Sequence, residues 1–143
     1  MSGSISATGM AAQRTRINVI AHNLANANTT RTAEGTPYRR RTVVFEPIQD
    51  GNSFQSTMSR LMKLEGGVLV SSIVEDTSEN AFIRVHDPQH PDADEDGFLL
   101  RPNINPVVEM VNLLEATRAY EANVAAYNAD RQMNHKALQI GGV

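Results

Sequence analysis

The sequence predicts an α+β fold, in which long N- and C-terminal helices pair as a coiled-coil-like rod and a small, mainly antiparallel β insert lies between them. Two observations support this prediction. Apolar residues recur at spacings of three and four near both ends of the 143-residue chain, and short β-branched runs with turn signals fill the middle. We therefore expect a helical domain formed by residues 1–30 and 105–143, and a β-rich insert domain of residues 31–104.

The N-terminal helix is predicted from a row of apolar side chains along one face. Met10, Ile17 and Leu24 lie seven residues apart, and Ile20 belongs to a second row offset by three. This spacing is typical of a helix that packs against another helix. Gln13 occupies the position one heptad before Ile20, so the apolar row has a polar break.

The ends of this helix are predicted less sharply. Residues 26–30 carry short polar side chains that compete for backbone hydrogen bonds, so the helix is expected to fade there. A helix over residues 6–28 would be about 35 Å long. Residues 1–9 are rich in Ser, Gly and Ala, and their composition is compatible both with the start of a helix and with a mobile segment.

The C-terminal helix has the clearest pattern in the chain. Asn105 is a favourable N-cap, Pro106 suits the first helical position, and the glycine pair at 141–142 supplies a stop. The helix is thus expected over residues 106–139, about 50 Å. One row of its residues alternates strictly in spacings of three and four: Met110, Leu113, Thr117, Tyr120, Val124, Tyr127, Arg131, Asn134 and Leu138.

The first half of the C-terminal helix is apolar over a broader face than the second half. A second row there consists of Val107, Val111 and Leu114, so this part of the helix is wide enough to meet more than one partner. The second half is polar at Arg131 and Asn134, as expected where a helix contact ends in a wet or shared interface.

The middle of the chain contains four β-rich runs, at residues 38–46, 68–75, 82–86 and 98–101. Turn signals separate them: Pro47, Asp50-Gly51, Gly66-Gly67, Asp87-Pro88 and Asp96-Gly97. Residues 51–65 are compatible with either a helix or a loop.

The unequal lengths of the two helices favour assembly with another chain. An isolated helix gains stability chiefly from packing, so the two ends of the chain are natural partners, parallel or antiparallel. The N-terminal helix is shorter by about one third, which leaves part of the C-terminal apolar row uncovered. An uncovered apolar row on a chain without a membrane span indicates a contact with a second chain.

Composition excludes several classes of protein and site. The chain has no cysteine, which excludes disulfides, zinc–thiolate sites and thiol nucleophiles. Its formal charge of -3 argues against a general nucleic-acid binder. Neither a cleavable signal peptide nor a transmembrane segment is predicted. No cofactor and no metal are expected.

One loop gives an alternative, enzymatic interpretation. His86, His90, Asp92 and Asp94 bring imidazoles and carboxylates to close spacing, and a small metal-dependent hydrolase centred on residues 86–94 is the rival hypothesis. The run from Asp92 to Gly97 also matches the first half of an EF-hand loop. Its twelfth position is Asn103 instead of a bidentate glutamate, which argues against calcium. An acidic turn between two strands is the simpler interpretation.

A basic triplet follows the first turn region. Arg39, Arg40 and Arg41 could contact phosphate or lipid headgroups, but three charges without interleaved aromatic residues are weak support for nucleic-acid binding. We expect instead a basic patch at a strand edge that faces acidic residues of a neighbouring subunit.

Several motifs resemble those of the flagellar rod and hook protein family. IAHNLANANT at residues 20–29 is similar to the Ala-Asn-Asn-Ile-Ala-Asn-x-Asn-Thr signature of that family, with His22 and Leu24 as mild departures. MVNLLEATRAYEAN at residues 110–123 resembles its C-terminal helix. In the centre, TRTAEGTPYRR at 30–40, DPQHPDAD at 87–94 and RPN at 101–103 resemble the short members that form the proximal rod.

The resemblance implies a structural subunit of the bacterial flagellar basal body and not an enzyme. Such a subunit self-assembles into the rod that transmits torque, with its terminal helices lining the inner tube around the export channel. It would lie in the periplasm-spanning rod and be exported without a cleavable signal peptide. The partners implied are other rod proteins, copies of the same chain, the type III export apparatus, an export chaperone and the MS-ring and export-gate region.

We expect the assembly interface to use residues of both terminal helices. Asn23, Asn26 and Asn28 are expected to cap the N-terminal helix and to bond across subunits. Met10, Ile17, Ile20 and Leu24 are expected to face Met110, Leu113, Tyr120 and Val124, with uncovered parts packing on neighbours. The complete set of expected interface residues is Met10, Ile17, Ile20, Asn23, Leu24, Asn26, Asn28, Met110, Leu113, Leu114, Arg118, Tyr120, Val124 and Tyr127.

Overall fold

The computed structural model describes residues 2–48, 54 and 66–142. In chain order these residues form helix α1 (Ser2–Ala25), strands β1 (Arg41–Pro47), β2 (Val68–Glu75), β3 (Phe82–His86) and β4 (Phe98–Pro102), and helix α2 (Pro106–Gly141). The predicted α+β class is confirmed, with a small antiparallel β region between two helices. The ambiguous segment 51–65 lies, apart from residue 54, outside the described residues.

Helix α1 begins earlier than the sequence pattern indicates and ends where its polar tail predicts. It starts at Ser2, so the Ser- and Gly-rich beginning of the chain is helical. Its end is held by Asn26, whose side-chain Nδ2 donates to the carbonyl oxygen of His22 at 2.9 Å. Its Oδ1 accepts from Thr29 Oγ1 at 3.1 Å. The backbone N–H of Asn26 donates to the same His22 carbonyl at 3.0 Å, so the side chain reinforces the last turn instead of capping a free carbonyl.

Helix α2 starts at the predicted cap. Asn105 Oδ1 accepts a hydrogen bond from the backbone N–H of Val107 at 3.0 Å, and Pro106 occupies the first turn, where its missing N–H costs nothing. The helix runs for 36 residues to Gly141, against 24 residues in α1. The predicted difference in length is therefore present.

The two helices pack side by side in antiparallel orientation. Gly9 near the start of α1 approaches Asn123 so closely that a Cβ atom built on it would lie 2.7 Å from Asn123 Oδ1. Further along α1, Arg16 Nη2 lies 3.8 Å from Glu115 Oε2. Position numbers rise on one helix as they fall on the other, which settles the orientation that the sequence left open.

The β region consists of two separate antiparallel hairpins. Strands β1 and β2 pair from Arg41 opposite Glu75 to Pro47 opposite Val68, with a bulge between Val44 and Phe45. Strands β3 and β4 pair from Phe82 opposite Pro102 to His86 opposite Phe98. Among the described residues no strand joins the two hairpins into one sheet.

The first hairpin lies along α1. At one end of the hairpin the backbone N–H of Val68 donates to Thr8 Oγ1 at 3.1 Å, and at the other end Asn23 bonds the backbone of Arg41. Gly67 has a φ of +102°, and a Cβ atom there would lie 2.4 Å from Thr8 Oγ1, so this close approach requires glycine. Helix α1 is therefore covered by α2 on one side and by the hairpin on another.

The second hairpin packs against the loop that follows α1. The guanidinium of Arg39 lies over the ring of Phe82, 4.6 Å from its centroid, and Thr30 Oγ1 donates to Asp92 Oδ2 at 2.6 Å. Side chains buried in this region form a small second core, separate from the helix contact: Tyr38, Ala81, Leu99, Pro102 and Ile104.

Candidate assembly surfaces and the polar junction

A cluster of polar side chains joins the end of α1, the entry to β1 and the start of α2, and we call it the polar junction (Asn23, Tyr38, Arg40, Arg41 and Glu109). Asn23 is 1% exposed. Its Nδ2 donates to the carbonyl oxygen of Arg41 at 2.8 Å, and its Oδ1 accepts from the backbone N–H of Arg41 at 3.0 Å and from Tyr38 Oη at 2.9 Å. Both lone-pair directions of the amide oxygen are therefore used.

The other half of the polar junction is an ion pair. Arg40 Nε donates to Glu109 Oε1 at 2.5 Å, and Arg40 Nη1 donates to Thr42 Oγ1 at 3.1 Å. Glu109 is 1% exposed, and its second oxygen, Oε2, is buried without a hydrogen-bond partner. A buried carboxylate depends strongly on its cation, since losing the partner leaves an uncompensated charge.

Burial also affects the tyrosine of the polar junction. Removal of its hydroxyl from water raises the pKa of Tyr38 above its ordinary value of 10.0. The Arg41 guanidinium opposes this shift, whereas the negative charges of Glu75 and Glu109 add to the rise in pKa. Tyr38 is thus held as a neutral donor to Asn23.

The basic triplet does not form a free patch, which corrects one prediction. Arg40 pairs with Glu109, and Arg41 Nη2 lies 3.2 Å from Glu75 Oε1. Arg39 donates to the carbonyl oxygen of Asp76 at 3.1 Å and covers the ring of Phe82. The acidic neighbours expected from another subunit are supplied by the same chain, because β2 and α2 run beside this segment.

The first candidate assembly surface is an apolar stripe on α2, formed by Val107, Met110, Val111 and Leu114. These side chains are 51% to 68% exposed. Their spacing places them on one face of the helix, turned away from the buried Glu109 and Ala116. Arg118, also exposed, continues the same row. An exposed row of large apolar side chains is typical of a protein–protein contact.

The second candidate surface is the end of α2 beyond its partner helix. Because Gly9 lies opposite Asn123, antiparallel pairing brings the start of α1 level with about residue 130. Residues 131–141, which we call the α2 overhang, are exposed. Met133, Leu138 and Ile140 are 70% to 79% exposed. This is the uncovered part of the helix that the difference in length predicts.

The predicted interface residues fall into three groups in this subunit. Ile20 and Asn23 are buried, whereas Asn28, Met110, Leu114 and Arg118 are exposed. The half-buried residues are Met10, Ile17, Leu24, Asn26, Leu113, Tyr120, Val124 and Tyr127. Burial in one subunit does not test whether these residues contact another, so that role stays a prediction.

Two residues differ from their predicted positions. Met110 was expected against α1, but it is 59% exposed and the buried position belongs to Glu109. Asn23 was expected to cap the end of α1 and to bond across subunits. Within this subunit its side chain bonds Arg41 and Tyr38 instead of the helix end, and a bond across subunits stays a prediction. Asn26, which was expected in the same role, does bond a carbonyl of the last turn.

The most buried side chains of the two helices include three that the sequence pattern did not select. Ala12, Val19 and Ala116 are buried, and Ala116 has an exposed fraction of 0%. Small residues sit where two helices approach closely, and larger ones surround them. A search for short apolar side chains at heptad spacing, such as those of Ala12 and Val19, could have found these buried positions of α1.

The histidine and aspartate loop is held by ordinary structural contacts. His90 Nδ1 accepts from the backbone N–H of Asp92 at 3.0 Å, and Asp94 Oδ1 accepts from the N–H of Asp96 and of Phe98 at 3.0 and 2.8 Å. Within the described ranges, no three His, Cys, Asp or Glu side chains are grouped to hold a metal ion. The loop is an acidic turn between β3 and β4.

A cleft of about 430 Å³ lies beside this loop, between the second hairpin and the segment after α1. Its walls include Arg31, Arg84 and Phe98, with the Arg84 guanidinium 3.9 Å from the centroid of the Phe98 ring. In the part of the chain that is described, no helix is long and apolar enough to cross a membrane.

Comparison with known proteins places the two helices in recognised families. A family model described as "Flagella basal body rod protein" matches residues 4–31, and one described as "Flagellar basal body rod FlgEFG protein C-terminal" matches residues 95–140. The chain is 44% identical over 146 residues to the flagellar basal-body rod protein FlgC of Bacillus subtilis (strain 168), with 96% of this chain and 95% of the relative covered.

Other relatives with the same description come from distant bacteria. The chain is 39% identical to FlgC of Borreliella burgdorferi and 38% identical to FlgC of Salmonella typhimurium. In both comparisons 96% of this chain and 93% of the relative are covered. The similarity therefore includes the β insert and is not limited to the helical ends.

Proposed function

The chain belongs to the FlgC family of flagellar basal-body rod proteins, and from this premise we propose that the apolar stripe and the α2 overhang are the contacts through which it builds the rod. As a member of that family it is a structural subunit of the flagellar basal body and assembles with other rod proteins. The finer proposal concerns where its contacts lie. It assigns assembly to a helical domain of residues 1–30 and 105–143, with residues 31–104 as a β insert domain.

The observation that carries the proposal is the exposure of the apolar stripe. Four large apolar side chains are more than half exposed on one helix face, while the opposite face is buried against α1. Burying such a face on a neighbour removes apolar surface from water at a gain of about 25 cal/mol per Å². The α2 overhang adds three exposed apolar side chains, Met133, Leu138 and Ile140, displaced along the axis of the same helix.

Two different surfaces at two ends of one helix suit an open polymer. When unlike surfaces of identical or similar subunits meet, the contact is heterologous and repeats along an axis instead of closing as a dimer. We propose that the neighbours include copies of this chain and other rod proteins. Contacts with the type III export apparatus, an export chaperone and the MS-ring region are part of the same proposal.

The absence of enzymatic activity is also proposed. The metal-dependent hydrolase alternative needs His86, His90 and the neighbouring aspartates to converge. In the structure Asp92 and Asp94 accept hydrogen bonds from Thr30 and from backbone N–H groups. These hydrogen bonds stabilise the turn between β3 and β4, which favours a structural role for the loop.

Complementation of a strain that lacks its own FlgC tests the location of the contacts. Val111→Asp with Leu114→Asp should abolish rod formation and motility without unfolding the isolated subunit, because both side chains are exposed. The matched control is Ile83→Asp with Val74→Asp, which places the same charges at exposed apolar positions of the insert. Normal rods with the first variant would overturn the proposal.

A further inference from the structure

The length difference between the helices means that α1 could pair along its whole length with α2 in more than one register. Helix α2 has 36 residues and α1 has 24. If α2 slid by one heptad, about 10 Å, every residue of α1 would still face α2, since the slide moves part of the α2 overhang into the contact. Ala116 opposes the slide by its size alone, because Asn123 would take its fully buried place.

We infer that the Arg40–Glu109 ion pair of the polar junction sets the register of the helix pair. In the observed register the buried carboxylate of Glu109 meets Arg40 Nε at 2.5 Å. After a slide of one heptad toward the α2 overhang, Ala116 would take the place of Glu109. Arg40 would then lose its carboxylate, and the displaced Glu109 would lose its cation. Polar groups in an apolar helix contact are known to select register in this way.

The remaining members of the polar junction hold the arginine in place. Asn23 bonds both backbone groups of Arg41, the residue after Arg40, and Tyr38 donates to the same amide oxygen. The backbone that carries Arg40 is therefore fixed to α1, whereas Glu109 belongs to α2. The ion pair therefore forms only when α2 lies at one position along α1.

The register has a consequence for the surface of the subunit. A slide would bury part of the α2 overhang and move the apolar stripe past the end of α1. The polar junction therefore determines which apolar side chains of α2 remain exposed. This inference concerns the isolated subunit and stands independently of the proposed assembly contacts.

Engineered cysteines can report the register, because the chain has none of its own. Gly9→Cys with Asn123→Cys reports the observed register, since a Cβ atom at position 9 lies 2.9 Å from Asn123 Cγ. Gly9→Cys with Asp130→Cys reports a slide of one heptad, and this pair also carries Asn123→Ala, which removes the amide that a Cβ atom at position 9 would meet. Both pairs are introduced into the otherwise unchanged full chain and into Arg40→Leu/Glu109→Leu, and mild oxidation is followed by quantification of the cross-linked products.

The unchanged chain should cross-link only through the 9–123 pair. In Arg40→Leu/Glu109→Leu the 9–130 pair should also cross-link, rising to at least about one tenth of the product, because no unpaired charge then opposes the slide. Glu109→Gln keeps the side-chain shape and should also give the shifted product. It replaces the double leucine variant if that variant fails to fold. The matched control is Arg101→Leu/Asp87→Leu, which removes an ion pair of the second hairpin whose two members lie outside the polar junction.

Two results would overturn the inference. One is exclusive 9–123 cross-linking in folded Arg40→Leu/Glu109→Leu or folded Glu109→Gln. The other is the shifted product in Asp92→Ala but not in these variants, since Asp92 ties the second hairpin, and with it the start of α2, to Thr30 and Arg31.

Discussion

Arg40 and Glu109 join the entry of strand β1 to the first turns of α2 across 69 positions of sequence, through a nitrogen–oxygen contact of 2.5 Å. The carboxylate is almost fully buried, whereas a third of the arginine side chain remains exposed. The pair therefore combines a desolvated anion with a cation that still reaches water. Removing only one partner should cost more stability than the intact pair contributes, because a lone buried charge is costly.

Arg40→Ala tests this asymmetry. The substitution leaves the Glu109 carboxylate buried without its cation, and we expect a loss of about 3 kcal/mol in the free energy of unfolding. Urea denaturation followed by circular dichroism measures it. Arg41→Ala is the matched control, since Arg41 pairs with Glu75 at the surface and should cost less than about 1 kcal/mol. Equal losses in both variants would contradict a special role for the buried pair.

The raised pKa of Tyr38 predicts a dependence of stability on alkaline pH. The folded pKa lies above the unfolded value near 10.0, so the native state retains its proton longer than the unfolded state does. The contribution of Tyr38 to the unfolding free energy is therefore constant below pH 10 and falls as the pH rises above it. Stability measured from pH 8 to 11 should decline less steeply above pH 10 in Tyr38→Phe. An identical slope in both proteins would contradict the assignment.

Asn23→Ala should be among the most destabilising substitutions in the chain. It removes three hydrogen bonds and leaves both backbone groups of Arg41 without their side-chain partner. We expect a loss of about 3 kcal/mol, at roughly 1 kcal/mol for each bond. Asn28→Ala is the control, because Asn28 is exposed at the end of the same signature motif. A small effect at Asn23 would show that solvent replaces these bonds.

Local patterns predicted the secondary structure well, because its signals lie close together in sequence. The cap at Asn105, the polar end of α1 and the four strands follow from neighbouring residues. The polar junction could not be predicted in this way. Arg40 was predicted as part of a basic patch and Glu109 was given no role, since only the fold brings residues 69 positions apart into contact.

The helix contact shows a different limit of sequence patterns. Large apolar residues such as Met10 and Met110 were selected, whereas the smaller Ala12 and Ala116 are the ones that the fold buries. A search for apolar positions in the sequence favours large side chains. Two helices that approach closely favour small side chains between them. The predicted row on α2 was wrong at its first member, since Glu109 is buried in place of Met110, whereas Leu113, Tyr120 and Val124 are half-buried.

Ala116→Leu tests how closely the helices pack. The methyl group of Ala116 is fully buried, so a larger side chain must push the helices apart or distort its own rotamer. We expect a loss of about 2 kcal/mol and a lower midpoint of thermal unfolding. Ala126→Leu makes the same change at an exposed position of α2 and should be nearly neutral. If the two variants unfold at the same temperature, the contact at Ala116 is looser than the structure indicates.

The α2 overhang allows assembly to be separated from folding. Leu138→Ser with Ile140→Ser alters side chains that are more than 70% exposed, so the unfolding free energy of the isolated subunit should change by less than about 0.5 kcal/mol. Rod formation in a complemented strain should nevertheless be lost, because these exposed side chains are proposed to be covered by a neighbouring subunit. Gln132→Ser with Gln139→Ser is the control on the same segment. Normal rods with the first variant, or equal loss with the control, would remove the α2 overhang from the assembly contacts and leave the apolar stripe as their only candidate on α2.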